Sequence, residues 1–161
     1  MKQNSQTLVF TEYESIAELP QEEQELFRAS LEAAKDAYAP YSRFQVGAAV
    51  KMTNGEIFRA NNQENAAYPS GLCAERIAAF AAKSNCKNEK IRVIAISAIS
   101  DIYKIDSPVY PCGSCRQVMA EYEMVDGSPI RFILGGKVGK IHVFDGIANL
   151  LPFIFDLDQF K

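Results

Sequence analysis

The chain has no tryptophan and a single histidine, His142, among its 161 residues. The scarcity of histidine restricts metal chemistry. A closed structural zinc site takes four Cys or His ligands, and one histidine with four cysteines leaves few ways to complete such a set. The absence of tryptophan comes with 17 Lys plus Arg against 20 Asp plus Glu, a net charge of −3. That balance argues against a polynucleotide channel, which combines basic residues with aromatic stacking platforms. Long apolar runs are also missing. Leu8-Val9-Phe10, near the N-terminus, is too short for a membrane span or for the apolar part of a signal peptide. We therefore expect a soluble cytoplasmic protein with no nucleic-acid or membrane partner. Without a secretory segment, the four cysteines read as metal ligands and not as disulfides. There are no repeats or low-complexity linkers, so residues 1–161 are expected to form one domain, with about the first twenty as an N-terminal extension.

Local patterns supply the elements. Pro20 followed by Gln21-Glu22-Glu23 reads as a helix start with acids in its first turn. Leu26, Phe27, Ser30, Leu31, Ala34 and Tyr38 recur at helical spacing, and Pro40 is expected to end that helix. Phe44 to Met52 reads as a strand of small apolar residues. Asn54-Gly55 then signals a type I′ hairpin to a returning strand at Ile57 to Ala60. Residues 61–72 are polar, with Pro69 and Gly71, and read as a loop. Ala74 to Lys83 is an alanine-rich helix. The β-branched run Ile91 to Ser100 fits a buried central strand. Gly113 to Glu123 is a second short helix. Ile130 to Leu134 and Ile141 to Phe144 read as strands joined by a glycine-containing hairpin, with a short helix at Asp145 to Leu151. The expected fold is a three-layer α/β/α sandwich around a mixed, five-stranded sheet.

The chemistry lies in Cys73-Ala74-Glu75 and Pro111-Cys112-Gly113-Ser114-Cys115. Cys112 and Cys115, three apart at a helix start, share a face. Cys73 sits at the opening of the other helix. Both segments would place their thiols at positive helix ends, which favour thiolates. Three thiolates on one zinc leave a fourth position for water, the arrangement of a catalytic site. Glu75, two residues from the first ligand, is placed to move protons there. Arg76, three residues from Cys73, is expected to hydrogen-bond a ligating sulfur and withdraw charge from it. A closed structural zinc site would need Cys86 or His142, both poorly placed. A redox Cys-x-x-Cys pair would leave Cys73-x-Glu75 unexplained.

These residues match an established signature of zinc nucleobase deaminases. The chain resembles the small homotetrameric cytidine deaminases with a three-cysteine zinc site, over roughly residues 20 to 155. The matching segments include Tyr38-Ala39-Pro40-Tyr41-Ser42, Phe44-Gln45-Val46-Gly47-Ala48-Ala49, Asn62-Gln63-Glu64-Asn65-Ala66-Ala67-Tyr68, Cys73-Ala74-Glu75-Arg76 and Pro111-Cys112-Gly113-Ser114-Cys115-Arg116-Gln117. Leu150-Leu151-Pro152 with Phe155 resembles the family's C-terminal segment. The resemblance implies Zn²⁺ on Cys73, Cys112 and Cys115, with Glu75 as the catalytic acid and base. It implies hydrolytic deamination of cytidine and 2′-deoxycytidine, in pyrimidine salvage. It further implies that Asn62 and Glu64 bind the ribose, that Phe44 packs on the pyrimidine, and that the backbone at Cys73 and Ala74 contacts the base. By the same resemblance Tyr68 lines the pocket and Gln117 supports the zinc site. Phe155 would reach into a neighbouring subunit's pocket, with Phe153 as its competitor for that role. Two alternatives share parts of this pattern: a deaminase of another cytosine compound such as blasticidin S, and a zinc-stabilised module without enzymatic activity.

Overall fold

The β-branched run forms the centre of the molecule. Strand β4 (Ile91–Ile99) is buried along most of its length. It pairs antiparallel with β2 (Gln45–Met52) on one side and parallel with β5 (Arg131–Gly136) on the other. Beyond β2 lies β3 (Ile57–Asn61), and beyond β5 lie β6 (Ile141–Asp145) and β1 (Thr11–Tyr13), in the order β1-β6-β5-β4-β2-β3. The computed structural model describes residues 1–156, so the stretch expected to run on to Lys161 ends outside the described residues.

Alternation along β4 splits the core in two. Val93 and Ala95 point to one face and pack with Leu26 and Phe27 of α1 (Gln21–Ala34). Ile94 and Ile96 point to the other, towards α2 (Ala74–Asn85) and α3 (Gly113–Asp126). The small residues of β2 let α1 lie close to the sheet. A Cβ on Gly47 would stand 1.9 Å from the Ser30 carbonyl oxygen, so only glycine fits there. On the opposite face, Ala74, Ala78, Ala79 and Ala82 are fully buried and give α2 a similarly close seat. One helix on one face and two on the other make the three-layer α/β/α sandwich that the sequence pattern implies.

Four details differ from expectation. Among the described residues the sheet has six strands, not five, because residues 11–13 of the N-terminal extension pair with β6. Three residues are too few to register as a hydrophobic pattern. The β2–β3 turn is not type I′, which needs positive φ at both central residues. Here the Gly55 N–H bonds the Met52 carbonyl at 3.0 Å, and Gly55 carries a φ of 91° while Asn54 does not lie at positive φ. Helix α1 ends at Ala34, well before Pro40. Three tightening turns follow it, and the Tyr38 N–H then bonds the Asn62 carbonyl. The expected helix at 145–151 is a single 3₁₀ turn, Ile147–Asn149. Among the described residues, no helix is long and apolar enough to cross a membrane.

Candidate functional site

The chain after β3 and the chain before α3 bring two helix starts together. Cys73 is the N-cap of α2 and Cys112 the N-cap of α3. Neither N-cap side chain bonds its own helix, so both sulfurs remain available at the positive end of a helix dipole. Cys115 lies one turn into α3 and is fully buried. The Cys73 and Cys112 sulfurs are 3.8 Å apart, and those of Cys112 and Cys115 are 3.5 Å apart. Tetrahedral zinc–thiolate bonds of about 2.3 Å imply sulfur–sulfur separations of about 3.8 Å. The three sulfurs lie within 4.8 Å of one another and fit one such ion.

Electrostatics set Cys73 and Cys115 apart. The hydrogen bond from Cys115 and, against the effect of burial, the Arg76 guanidinium bring the Cys73 thiol down to about 5. Cys115 moves the other way, because its proton is shared with Cys73 and it is buried. A divalent cation would remove this opposition by stabilising all three as thiolates. The Arg76 Nη2 lies 3.9 Å from the Cys73 sulfur, as its helical spacing suggests. Its Nε is a buried side-chain nitrogen without a hydrogen-bond partner among the described residues.

Glu75 is only 4% exposed, and its burial pushes the carboxyl above its ordinary range despite a hydrogen bond with Cys115. It borders a cavity of about 720 Å³ together with Cys73 and Cys112. Phe44, Asn62, Glu64 and Tyr68 line the same cavity. Both ends of the Asn62 amide are engaged: Oδ1 accepts from the Val46 N–H at 2.8 Å, and Nδ2 donates to the Phe44 carbonyl at 3.0 Å. An amide has two N–H groups and two lone pairs, so it keeps capacity for a ligand while holding the strand. Glu64 Oε2 accepts from the backbone of Tyr41 at 2.9 Å and Ser42 at 3.3 Å. Burial raises its carboxyl, but bonds from Ser42 and Tyr41 outweigh that and leave it below the usual range.

Other expected residues stand elsewhere. Ala74, the first residue of α2, is fully buried and is not among the residues that line the cavity. The Gln117 amide does not touch the thiols. It brackets the Phe155 backbone, donating to its carbonyl at 2.7 Å and accepting from its N–H at 3.4 Å. Phe155 and Phe153 are exposed, and neither lines this chain's own cavity. His142 lies away from the thiols, on β6, bonded to Tyr110 and Glu12. Cys86 is also remote, with its thiol on Glu56. Residue-by-residue reading missed Tyr41, Ile96, Val109 and Tyr110, which also line the cavity. Val109 and Tyr110 precede Pro111-Cys112 directly, and that adjacency was the available signal.

Comparison with known proteins agrees with this geometry. Residues 20–127 match the family model described as the cytidine and deoxycytidylate deaminase zinc-binding region. A cytidine deaminase from Halalkalibacterium halodurans is 42% identical over 136 residues, 84% of this chain and 96% of that protein. A blasticidin-S deaminase from Bacillus cereus is 29% identical, over 83% of this chain and 92% of its own length. The crystal structure of cytidine deaminase from Burkholderia pseudomallei superposes with a TM-score of 0.69 at 35% identity, covering 81% of this chain and 97% of that one.

Proposed function

The chain belongs to the cytidine and deoxycytidylate deaminase zinc-binding family, and from that premise we propose that it hydrolyses cytidine and 2′-deoxycytidine to uridine and 2′-deoxyuridine with release of ammonia. The observation that carries this reading is the buried Glu75 carboxyl on the wall of a nucleoside-sized cavity, beside three thiols spaced for one zinc ion. Cys73, Cys112 and Cys115 would hold one zinc ion, which would supply Lewis acidity to a water molecule at its open position. Glu75 is the group that takes a proton from the attacking water and delivers it to N3 of the pyrimidine, which makes C4 electrophilic. It then carries a second proton to the departing amino group. A carboxyl raised by burial suits this dual role, since it must both accept and release a proton near neutral pH. Arg76 faces the Cys73 sulfur and draws charge from it, which would leave a metal held there a stronger Lewis acid.

At the other end of the cavity, Glu64 and Asn62 take the ribose hydroxyls, and Phe44 and Tyr68 flank the ring and sugar. The hydrogen bonds that fix Glu64 and Asn62 to neighbouring backbone support this role, because they orient both groups before a ligand arrives. The backbone near Cys73 and Ala74 meets the base, and Gln117 acts on the site through the C-terminal segment. We further infer a cytoplasmic enzyme of pyrimidine salvage, folded as one domain and assembled as a homotetramer. Exposed Tyr68 at the cavity and exposed Phe155 outside it fit an arrangement in which a neighbour's C-terminal aromatic completes each pocket.

The test is the loss of cytidine absorbance with ammonia release by purified protein. Blasticidin S and a cytosine-containing single strand serve as competing substrates. Turnover of cytidine alone, abolished by chelation and restored by zinc, is the expected result. Turnover confined to blasticidin S, or none with one zinc per chain, would overturn the assignment.

A further inference from the structure

The N-terminal segment precedes the region matched by the family model, which begins at residue 20, yet it connects to the cavity wall. Strand β1 pairs with β6 in a register that sets Glu12 directly opposite His142. His142 Nε2 lies 2.8 Å from Glu12 Oε2, and its Nδ1 lies 2.7 Å from the Tyr110 hydroxyl. Lys140 also bonds Glu12, and Lys140 and His142 together hold that carboxyl below its ordinary range. As a carboxylate Glu12 can only accept, so Nε2 carries the hydrogen. With the hydrogen on Nε2, the Nδ1 lone pair accepts and the Tyr110 hydroxyl donates. Rings reinforce the chain of bonds. Phe10 lies tilted 4.5 Å from His142 and stacks 5.3 Å from Phe144, and Tyr110 meets Phe144 edge-on at 6.1 Å. The other end of this assembly is Tyr110, which lines the cavity together with Val109 and Cys112.

We propose that the Glu12–His142–Tyr110 hydrogen-bond chain makes the N-terminal segment a positioning element of the nucleoside pocket, fixing the Tyr110 ring in the wall and so setting how tightly the nucleoside is held. This rests on reading the cavity as a nucleoside site. Neither Glu12 nor His142 lines the cavity. Both act through Tyr110, so their loss weakens binding and leaves proton transfer by Glu75 intact.

The experiment compares Glu12→Ala, Glu12→Gln, His142→Phe, Tyr110→Phe and the double variant His142→Phe/Tyr110→Phe in the full chain, with zinc content and thermal stability measured for each. Removing one hydrogen bond from the chain should raise KM for cytidine about five-fold, with kcat within about two-fold of wild type. The double variant should be no worse than either single one. Glu12→Gln should stay near wild type, because its amide oxygen still accepts from Nε2. As His142 is the sole histidine, its ring resonances are assigned without ambiguity. Adding uridine should shift them in the wild type and not in Tyr110→Phe. An unchanged KM, effects that multiply in the double variant, a Glu12→Gln protein as weak as Glu12→Ala, or histidine resonances indifferent to uridine would each overturn the proposal. A wild type active on cytidine with unaffected variants removes this inference alone. A wild type inactive on cytidine removes the nucleoside reading, and this inference with it.

Discussion

The two faces of the sheet are built from the same kinds of strand residue but hold their polar groups differently. Among the described residues the buried polar side chains are Ser30, Ser97 and Glu75. On the α1 face, Ser30 and Ser97 satisfy one another at 2.8 Å, and Ser30 also donates to the Phe27 carbonyl. Around them lies an apolar cluster that includes Leu26, Phe27, Val93 and Ala95, and at its edge Arg131 bonds Glu23. On the α2/α3 face, Glu75 keeps a carboxyl that burial raises, Arg76 keeps an unbonded Nε, and three thiols are crowded together. A fold under selection for stability alone would pair or remove such groups, because buried polar atoms without partners are costly. The α1 face therefore secures the sheet, and the opposite face uses that security to hold reactive groups in place.

The sharpest way to separate the faces is Glu75→Gln. It should retain one zinc per chain and a melting temperature at or above wild type, since the amide carries no buried charge. Turnover should fall about 10³- to 10⁴-fold, the range of a lost general acid–base. Single-turnover kinetics beside metal analysis check it, and a near-normal rate would remove Glu75 from the chemistry. Phe27→Ala probes the other face. Phe27 is 1% exposed, and its truncation should cost about 3–5 kcal/mol of stability by denaturant melt. Assayed at low temperature, turnover per folded molecule should stay within about two-fold of wild type. A rate that falls with stability would show that the faces are coupled. Arg76→Ala should lower turnover about 10- to 100-fold while zinc content stays near one per chain. Equal turnover would leave its contact with Cys73 without consequence.

Much of this division was legible in the sequence, and the exceptions have physical causes. Cys73, Cys112 and Cys115 sit at the spacing of a shared metal site, with Glu75 two residues from the first, so local pattern was enough to find them. The central strand was legible because burial on both faces imposes an unbroken apolar run. Strand β1 was not, because its three residues are held by pairing with β6, a contact formed across more than a hundred residues of chain. Tyr110, His142 and Glu12 were illegible as a group for the same reason, since each lies on a different segment and no spacing connects them. The end of α1 was misplaced because Tyr38 continues the helical period, yet its N–H is claimed by the Asn62 carbonyl.

The smallest effect comes from a second carboxyl in the α2/α3 layer. Glu123, on α3, accepts from the backbone N–H groups of Ile130 at 2.7 Å and Ile147 at 2.8 Å through one oxygen, Oε1. Burial raises its carboxyl, and the two backbone bonds only partly oppose that. A folded-state value above the unfolded one means that the native protein binds the proton more tightly. The associated stability is therefore fully present below the unfolded value of 4.5 and is lost as pH rises through the folded value. At neutral pH the ionised carboxylate carries this burial penalty. Glu123→Gln keeps an oxygen for both N–H groups and cannot ionise. Its melting temperature should exceed wild type by about 1–2 °C at pH 8, with the advantage vanishing near pH 4. Turnover should not change. An advantage that persists in acid would mean that Glu123 is limited by packing and not by charge. A loss of turnover would mean that the structural end of α3 and its cysteine end, taken here as separable, act together.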